Sequence, residues 1–504
     1  MPTSDWTRLV RWLSARRDVQ QVIWGFVAIV LAWVIGKSIA GQKYDYPIML
    51  VGAMIFLVVF SRRHSLIILF PAVLAMPNIG LDIPGPWAIT VEDAFTLLIF
   101  GTYLGRAILR RYYLVPRDDP IAVNFILFVG IAIICIIQVA NVSPNNLLFN
   151  TKELLRLAEL AMCYLALTDA LDSPKHIMRL VQGLLIWSVW MIAVSFWIYL
   201  TLSPFWYFIL TMKPAFIFLR TKILRLVSIA GSTSYTGIYY ALILALAAYY
   251  QPLFANKGRK VLGATLIGLI LACIFFSFNR GTWVGILFGL SVLVLQGQIN
   301  RRRVALSILL IAGLAVLMGT SVFGEIDVEQ KVVDLVHYSS SSAESRIVRW
   351  LSAVNVVMDH PLLGVGYNNY AFVYGNYSIL EGFQPSYGSP HNMYVDILTG
   401  TGFIGFTVFM ALMVQIWRRM RSNLRAPLPP DLMRLSQGIF LAHLFFLGSS
   451  FFDSFLFKPH HSSYIIIALW AMSTAIYRLH SGKRPDSGSL APAPSATPSG
   501  GASR

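Results

Sequence analysis

From residue 22 to residue 478 the chain is a succession of apolar runs, broken at length in only one place, roughly 322–390. Few folds tolerate this pattern. Inside a bilayer every backbone N–H and C=O must find a partner within the protein, so spanning segments are helices or closed barrels. A helical run of about 20 apolar residues crosses a hydrocarbon core of about 30 Å. Runs near 22–40, 46–60, 64–77, 90–108, 120–140, 153–171, 179–201, 229–252, 261–278, 281–297, 303–321, 393–416, 434–452 and 462–478 fit this description, the second and third being short. Another run, Phe205 to Leu219, is interrupted by Lys213-Pro214 and reads as interfacial or re-entrant. The expected fold class is all-α: a polytopic membrane protein with about 12–14 transmembrane helices and one long, partly helical loop.

Charge decides the orientation. Only 12% of residues are charged, about half the share of a soluble domain. The net charge of +17 is not a nucleic-acid signature here, because the basic residues fall in alternate inter-span segments. With the N-terminus inside, about two-thirds of the 40 lysines and arginines face the cytoplasm, as the positive-inside rule requires. Both termini are then cytoplasmic, and the long break faces outward, into a periplasm in a Gram-negative cell. The expected organisation is a first helix bundle at 1–321, an outer loop at 322–390, further spans at 391–480, and a disordered Pro/Ser/Gly/Ala-rich tail at 481–504. No cleavable signal peptide is expected, because the first apolar run is long and follows Arg8, Arg11, Arg16 and Arg17 at a distance. Cys135, Cys163 and Cys273 lie inside apolar runs with no metal-ligand spacing, and read as small core residues.

The outward-facing basic residues have no orientational use, so they are candidates for chemistry. Arg280 lies in Ser277-Phe278-Asn279-Arg280-Gly281, a tight turn between two spans. It is either a snorkelling turn residue or an anion contact at headgroup level; its planar fork donates bidentate hydrogen bonds well suited to phosphate. Arg225 precedes Ser228-Ile229-Ala230-Gly231-Ser232-Thr233-Ser234, where a helix start offers free N–H groups; an ordinary juxtamembrane charge is the alternative. Arg346 and Arg349 sit three apart on one face of a helical stretch in the break, on either a substrate-facing or a merely solvated face. After it, Gly364 and Gly366 suit a turn with unusual backbone angles, and Tyr367 and Asn368 suit either sugar contact or an aromatic belt. The break ends in Ser389-Pro390-His391-Asn392. His391 is the candidate base, since a near-neutral imidazole can take a proton from a hydroxyl; helix capping is the alternative. His360, His460 and His461 are weaker candidates on the same face. Glu92 and Asp93 open an apolar run, where they either orient an arginine or acceptor or complement the helix dipole. Gly400-Thr401-Gly402-Phe403-Ile404-Gly405 spells a dinucleotide fingerprint, but it follows no strand, and helix packing through glycine is the better reading.

Taken together, Arg225 before one span, Ser277-Phe278-Asn279-Arg280-Gly281 between two, His360-Pro361-Leu362-Leu363-Gly364-Val365-Gly366 in the loop, and His391-Asn392-Met393-Tyr394-Val395-Asp396-Ile397-Leu398 at its end resemble the O-antigen ligase and polymerase superfamily. The resemblance covers about residues 225–410. It implies a bacterial inner-membrane glycosyltransferase of the GT-C type. Such an enzyme moves a glycan from undecaprenyl diphosphate to an acceptor on the periplasmic side, without metal or cofactor. The acceptor is lipid A-core for a ligase and a growing glycan for a polymerase. The family roles imply that Arg225 and Arg280 engage the diphosphate, that His391 acts on the acceptor hydroxyl or helps organise it, and that Arg346 is a loop contact. Arg349, Tyr367, Asn368, Asn392 and Asp93 are expected around the substrates. Attack of the hydroxyl on the anomeric carbon would invert it. A flippase for lipid-linked glycans is the competing class; it predicts related halves with paired broken helices and charges near the midplane.

Overall fold

In the computed structural model of the chain, the described residues are 64–74, 80–82, 88–90, single positions between 96 and 104, 118–201, 226–228, 232–296, 343–379, 389–456 and 461–482. The runs expected near 22–40, 46–60 and 303–321, the interrupted run at 205–219, and most of the tail lie outside these residues. So do Arg225, Glu92, Asp93 and His460.

In chain order the elements are α1 (Ser65–Leu74), β1 (Gly80–Asp82), β2 (Ala88–Thr90), α2 (Pro120–Ile134), α3 (Ile136–Val142), α4 (Leu147–Ala170), α5 (Pro174–Thr201), α6 (Thr233–Tyr249), α7 (Lys257–Phe276), α8 (Arg280–Leu295), α9 (Ala343–Asp359), α10 (Tyr370–Tyr377), α11 (Met393–Arg425), α12 (Pro430–Ser449) and α13 (His461–Ser481). β1 and β2 form a small antiparallel hairpin, and the other described elements are helices. Among the described residues, six helical segments are long and apolar enough to cross a membrane: α2 with α3, α5, α7, α11, α12 and α13. α4 carries Lys152, Glu153, Arg156, Glu159 and Asp169 along its length and buries most of its residues, so it reads as an inner helix. α5 instead exposes Ile186, Trp190, Trp197 and Leu200, as expected of a face turned to lipid. The protein is an all-α polytopic membrane protein.

Short polar residues start the helices. Asp119 caps α2, accepting from the Ile121 N–H with Pro120 in the first turn, and Asn256, Asn279 and Asn392 cap α7, α8 and α11 in the same way. Each supplies an acceptor for an otherwise orphaned N–H.

α4 gives the bundle two ends. About 36 Å long at about 1.5 Å per residue, it meets Asn369 near its start through Asn150 and accepts from Arg478 at Thr168 near its finish. Asp119, Arg419, Arg478, Asn423 and His480 gather at the second end. The first end holds the starts of α8 and α11 and the turn between α12 and α13.

α11 is broken ten residues in. Gly402 has φ 61 and ψ −169, outside helical values. The polar groups at the break are taken up by the loop: Val365 N–H donates to Thr399 O, Gly366 N–H to Gly400 O, and Phe403 N–H to Pro361 O. A Cβ at Gly364 would run into the Thr399 carbonyl, and one at Gly402 into the Leu362 carbonyl. These glycines therefore let two backbones touch. This corrects the expectation of ordinary helix packing at Gly400–Gly405. Residues 361–366 of the expected outer loop thus dock against the break in α11.

Candidate active site

Arg280 is the first residue of α8, and its position is built by Asn279. The Asn279 Oδ1 accepts from Gly281 N–H at 3.1 Å, while Nδ2 donates to Ser234 O at 3.0 Å and to Thr282 Oγ1 at 2.9 Å. This one amide ties the start of α6 to the start of α8. Phe278 just before it holds a left-handed φ of 50, uncommon for a bulky residue. Arg280 itself is exposed. Arg225 is outside the described residues, but the next residue, Leu226, donates its N–H to Phe276 O, at the end of the helix leading into the Arg280 turn.

Helix α9 supplies the loop arginines. Arg349 is buried and donates from Nη1 to Ser389 O at 3.0 Å; Trp350 donates from Nε1 to Pro390 O at 2.8 Å. Together they clamp the two carbonyls immediately before His391. Burial lowers the pKa of Arg346, the positive fields of Arg280 and Arg349 push the same way, and Asp453 opposes them. Arg346 thus stands within electrostatic reach of Arg280, Arg349 and Asp453.

His391 closes the arrangement. It too has a left-handed backbone, φ 47, a conformation that costs of order 1–3 kcal/mol and persists where surroundings enforce it. Here the Arg349 and Trp350 clamp precedes it and the Asn392 cap follows it. Its Nδ1 is buried, with no hydrogen-bond partner, and lies 3.5 Å from Asp453 Oδ1. The His391 side chain remains 35% exposed, against 11% for Asp453. The burial of Nδ1 leaves Nε2 as the nitrogen free to meet a substrate. Asp453 lies in the turn after α12 and is held by its Oδ1 accepting from the Ser454 N–H at 2.9 Å. Ser454 Oγ in turn donates to Asp396 Oδ2 at 2.7 Å, one turn into α11. The same turn packs Phe452 over Gly281, beside Arg280.

His391, Arg346 and Arg280 are therefore brought to one end of the bundle, around Asp453. The other expected contacts have different surroundings. Tyr367 and Asn368 are buried, and Asn368 Nδ2 donates to Glu153 Oε2 on α4 at 3.2 Å. Asn392 is buried and spends its Oδ1 on the N–H groups of Tyr394 and Val395. Arg349 is a clamp rather than an open cation. His360 lies 3.1 Å from the Tyr377 hydroxyl, fastening α9 to α10. Sequence reasoning missed Asp453, although a carboxylate inside Phe451-Phe452-Asp453-Ser454-Phe455 is the kind of ionisable residue in apolar surroundings that marks a functional position.

Residues 264–410 match the family model described as O-Antigen ligase. This segment belongs to the O-antigen ligase and polymerase superfamily. The match contains Arg280, Arg346, Arg349 and His391; Arg225, Asp93 and Asp453 lie outside it. Comparison with curated proteins finds no match. The match over residues 264–410 supports glycan transfer of the O-antigen ligase type in general.

Proposed function

We propose that the protein moves a glycan from undecaprenyl diphosphate to an acceptor hydroxyl at the periplasmic face of the bacterial inner membrane, with both termini in the cytoplasm. The gathering of His391, Asp453, Arg346 and Arg280 at one end of a spanning bundle carries this reading. The opposite end bears Lys257, Arg259, Lys260, Arg418, Arg421 and Arg425, which the positive-inside rule assigns to the cytoplasm.

The chemistry runs as follows. Asp453 beside Nδ1 favours the tautomer with its proton there, leaving Nε2 as the base. Nε2 takes the proton from the acceptor hydroxyl as its oxygen attacks the anomeric carbon. The bond from that carbon to the diphosphate oxygen breaks, and the electron pair leaves with the diphosphate. Arg280 and Arg346, joined by Arg225, hold the charge that develops there. Preorganised guanidinium donors suit that task, which Mg²⁺ performs in other phosphate-transfer sites. Attack opposite the leaving group inverts the anomeric centre.

Asp93, outside the described residues, remains a candidate acceptor contact. The competing flippase reading calls for broken helices that line a pathway. The break in α11 is instead filled by residues 361–366, which favours the transferase.

The test is purified protein in nanodiscs with undecaprenyl-diphosphate glycan, with and without lipid A-core. Transfer only to lipid A-core identifies a ligase, and chain growth on donor alone a polymerase. Translocation of the lipid without any product would overturn the proposal. His391→Ala and Arg280→Ala are expected to lose transfer while keeping normal membrane expression, and full activity in either would remove its assigned role.

A further inference from the structure

At the end of the bundle remote from His391, two distant segments converge on one carboxylate. His64, immediately before α1, places Nε2 3.2 Å from Asp172 Oδ2, across 108 residues of chain. His176, in the first turn of α5, places Nδ1 2.6 Å from the other oxygen, Asp172 Oδ1. The two imidazoles stack with centroids 3.7 Å apart at 24°, which turns a nitrogen of each towards the same carboxylate. Ser173 Oγ also lies 2.9 Å from His176 Nδ1. The three ligand atoms lie within 4.8 Å of one another. The side chains are 39% exposed for His64, 27% for Asp172 and 16% for His176, so solvent reaches the cluster.

We propose that His64, Asp172 and His176 bind one divalent transition-metal ion of the Zn²⁺ class. Two imidazole nitrogens and a carboxylate oxygen are a ligand set such ions accept, with water in the fourth position. Zinc needs its ligand atoms about 2.0–2.2 Å away. Atoms already this close reach that geometry by small side-chain rotations, without moving either helix. The imidazoles bind as neutral tautomers, each turning a lone pair to the ion in place of its contact with Asp172. Because Asp172 and His176 are four apart at the start of α5 while His64 leads into α1, the ion joins α1 to α5 at the end of the bundle away from glycan chemistry. The site is independent of the transfer reading.

The experiment uses full-length protein carrying a tag without histidines, stripped with chelator and then titrated with Co²⁺ and Zn²⁺. Wild type is expected to take up one Co²⁺ per chain with a visible ligand-field band that Zn²⁺ displaces, and Zn²⁺ is expected to raise its unfolding temperature. His64→Gln/His176→Gln and Asp172→Asn should lose both effects. Equal metal content in wild type and the double variant, or a Zn²⁺-induced rise in both, overturns the proposal. X-ray absorption on zinc-loaded wild type reads the site without any variant: imidazole scattering is expected, and its absence refutes the assignment, leaving the cluster a hydrogen-bonded helix start only.

Discussion

At residue scale the proposed chemistry turns on one pair, His391 and Asp453. At 3.5 Å the contact is looser than a well-formed hydrogen bond, and catalytic contacts of this kind often tighten only with substrate present. Asp453→Asn keeps the shape and removes the charge that favours the tautomer with a proton on Nδ1. Its kcat is expected to fall by about 10²-fold with donor KM nearly unchanged, measured by steady-state transfer assays. Arg346→Ala removes a part-buried cation from the proposed diphosphate site, so both kcat and affinity for a diphosphate-lipid analogue should drop. A variant whose analogue binding matches wild type would place Arg346 outside that site.

At element scale the docking of residues 361–366 onto the break in α11 is the feature most exposed to mutation. Gly402 and Gly364 combine left-handed φ with backbone contact. Any side chain there brings strain of about 1–3 kcal/mol in addition to the clash. Gly402→Val is therefore expected to lower the unfolding temperature in detergent and to reduce transfer together, since α11 begins two residues after His391. The Asn392 cap contributes about 1 kcal/mol in ordinary helices. Here it also fixes the chain next to the base, so Asn392→Ala should cost more activity than stability.

At the scale of the whole molecule, the two ends of the bundle are separately fastened. At the basic end Asp119 is 2% exposed and accepts from Arg419 Nη2 and Arg478 Nη2, each at 3.3 Å, and from the Tyr164 hydroxyl at 2.9 Å. One carboxylate thereby joins α2, α4, α11 and α13. Removing it leaves the buried Arg419 and the part-buried Arg478 without their counter-charge, a defect that costs about 3–5 kcal/mol in comparable buried pairs. Asp119→Ala is expected to cut the yield of monodisperse protein sharply, whereas Asp453→Asn leaves that yield intact.

Hydropathy marked the helices, because a bilayer admits so few backbone solutions, but not which of them cross: α4, expected as a span, is charged and mostly buried. The apolar runs from 120 onward that lie in the described residues recur as helices, some of them longer than the apolar run, as where α11 continues to Arg425. The candidates Arg280 and His391 came from anomalies visible in one dimension, a cation in a two-span turn and a histidine at a helix start. Asp453 was not legible there, because its meaning depends on a partner 62 residues away that only folding brings to 3.5 Å. Asn368 and Asn392 looked equally eligible for substrate as polar residues in a loop, and in the folded chain the Asn368 amide donates to Glu153 on α4 while Asn392 Oδ1 caps α11. Local sequence records which side chains can bond. Whether a bond faces substrate or the protein's own backbone is decided by what packs against it.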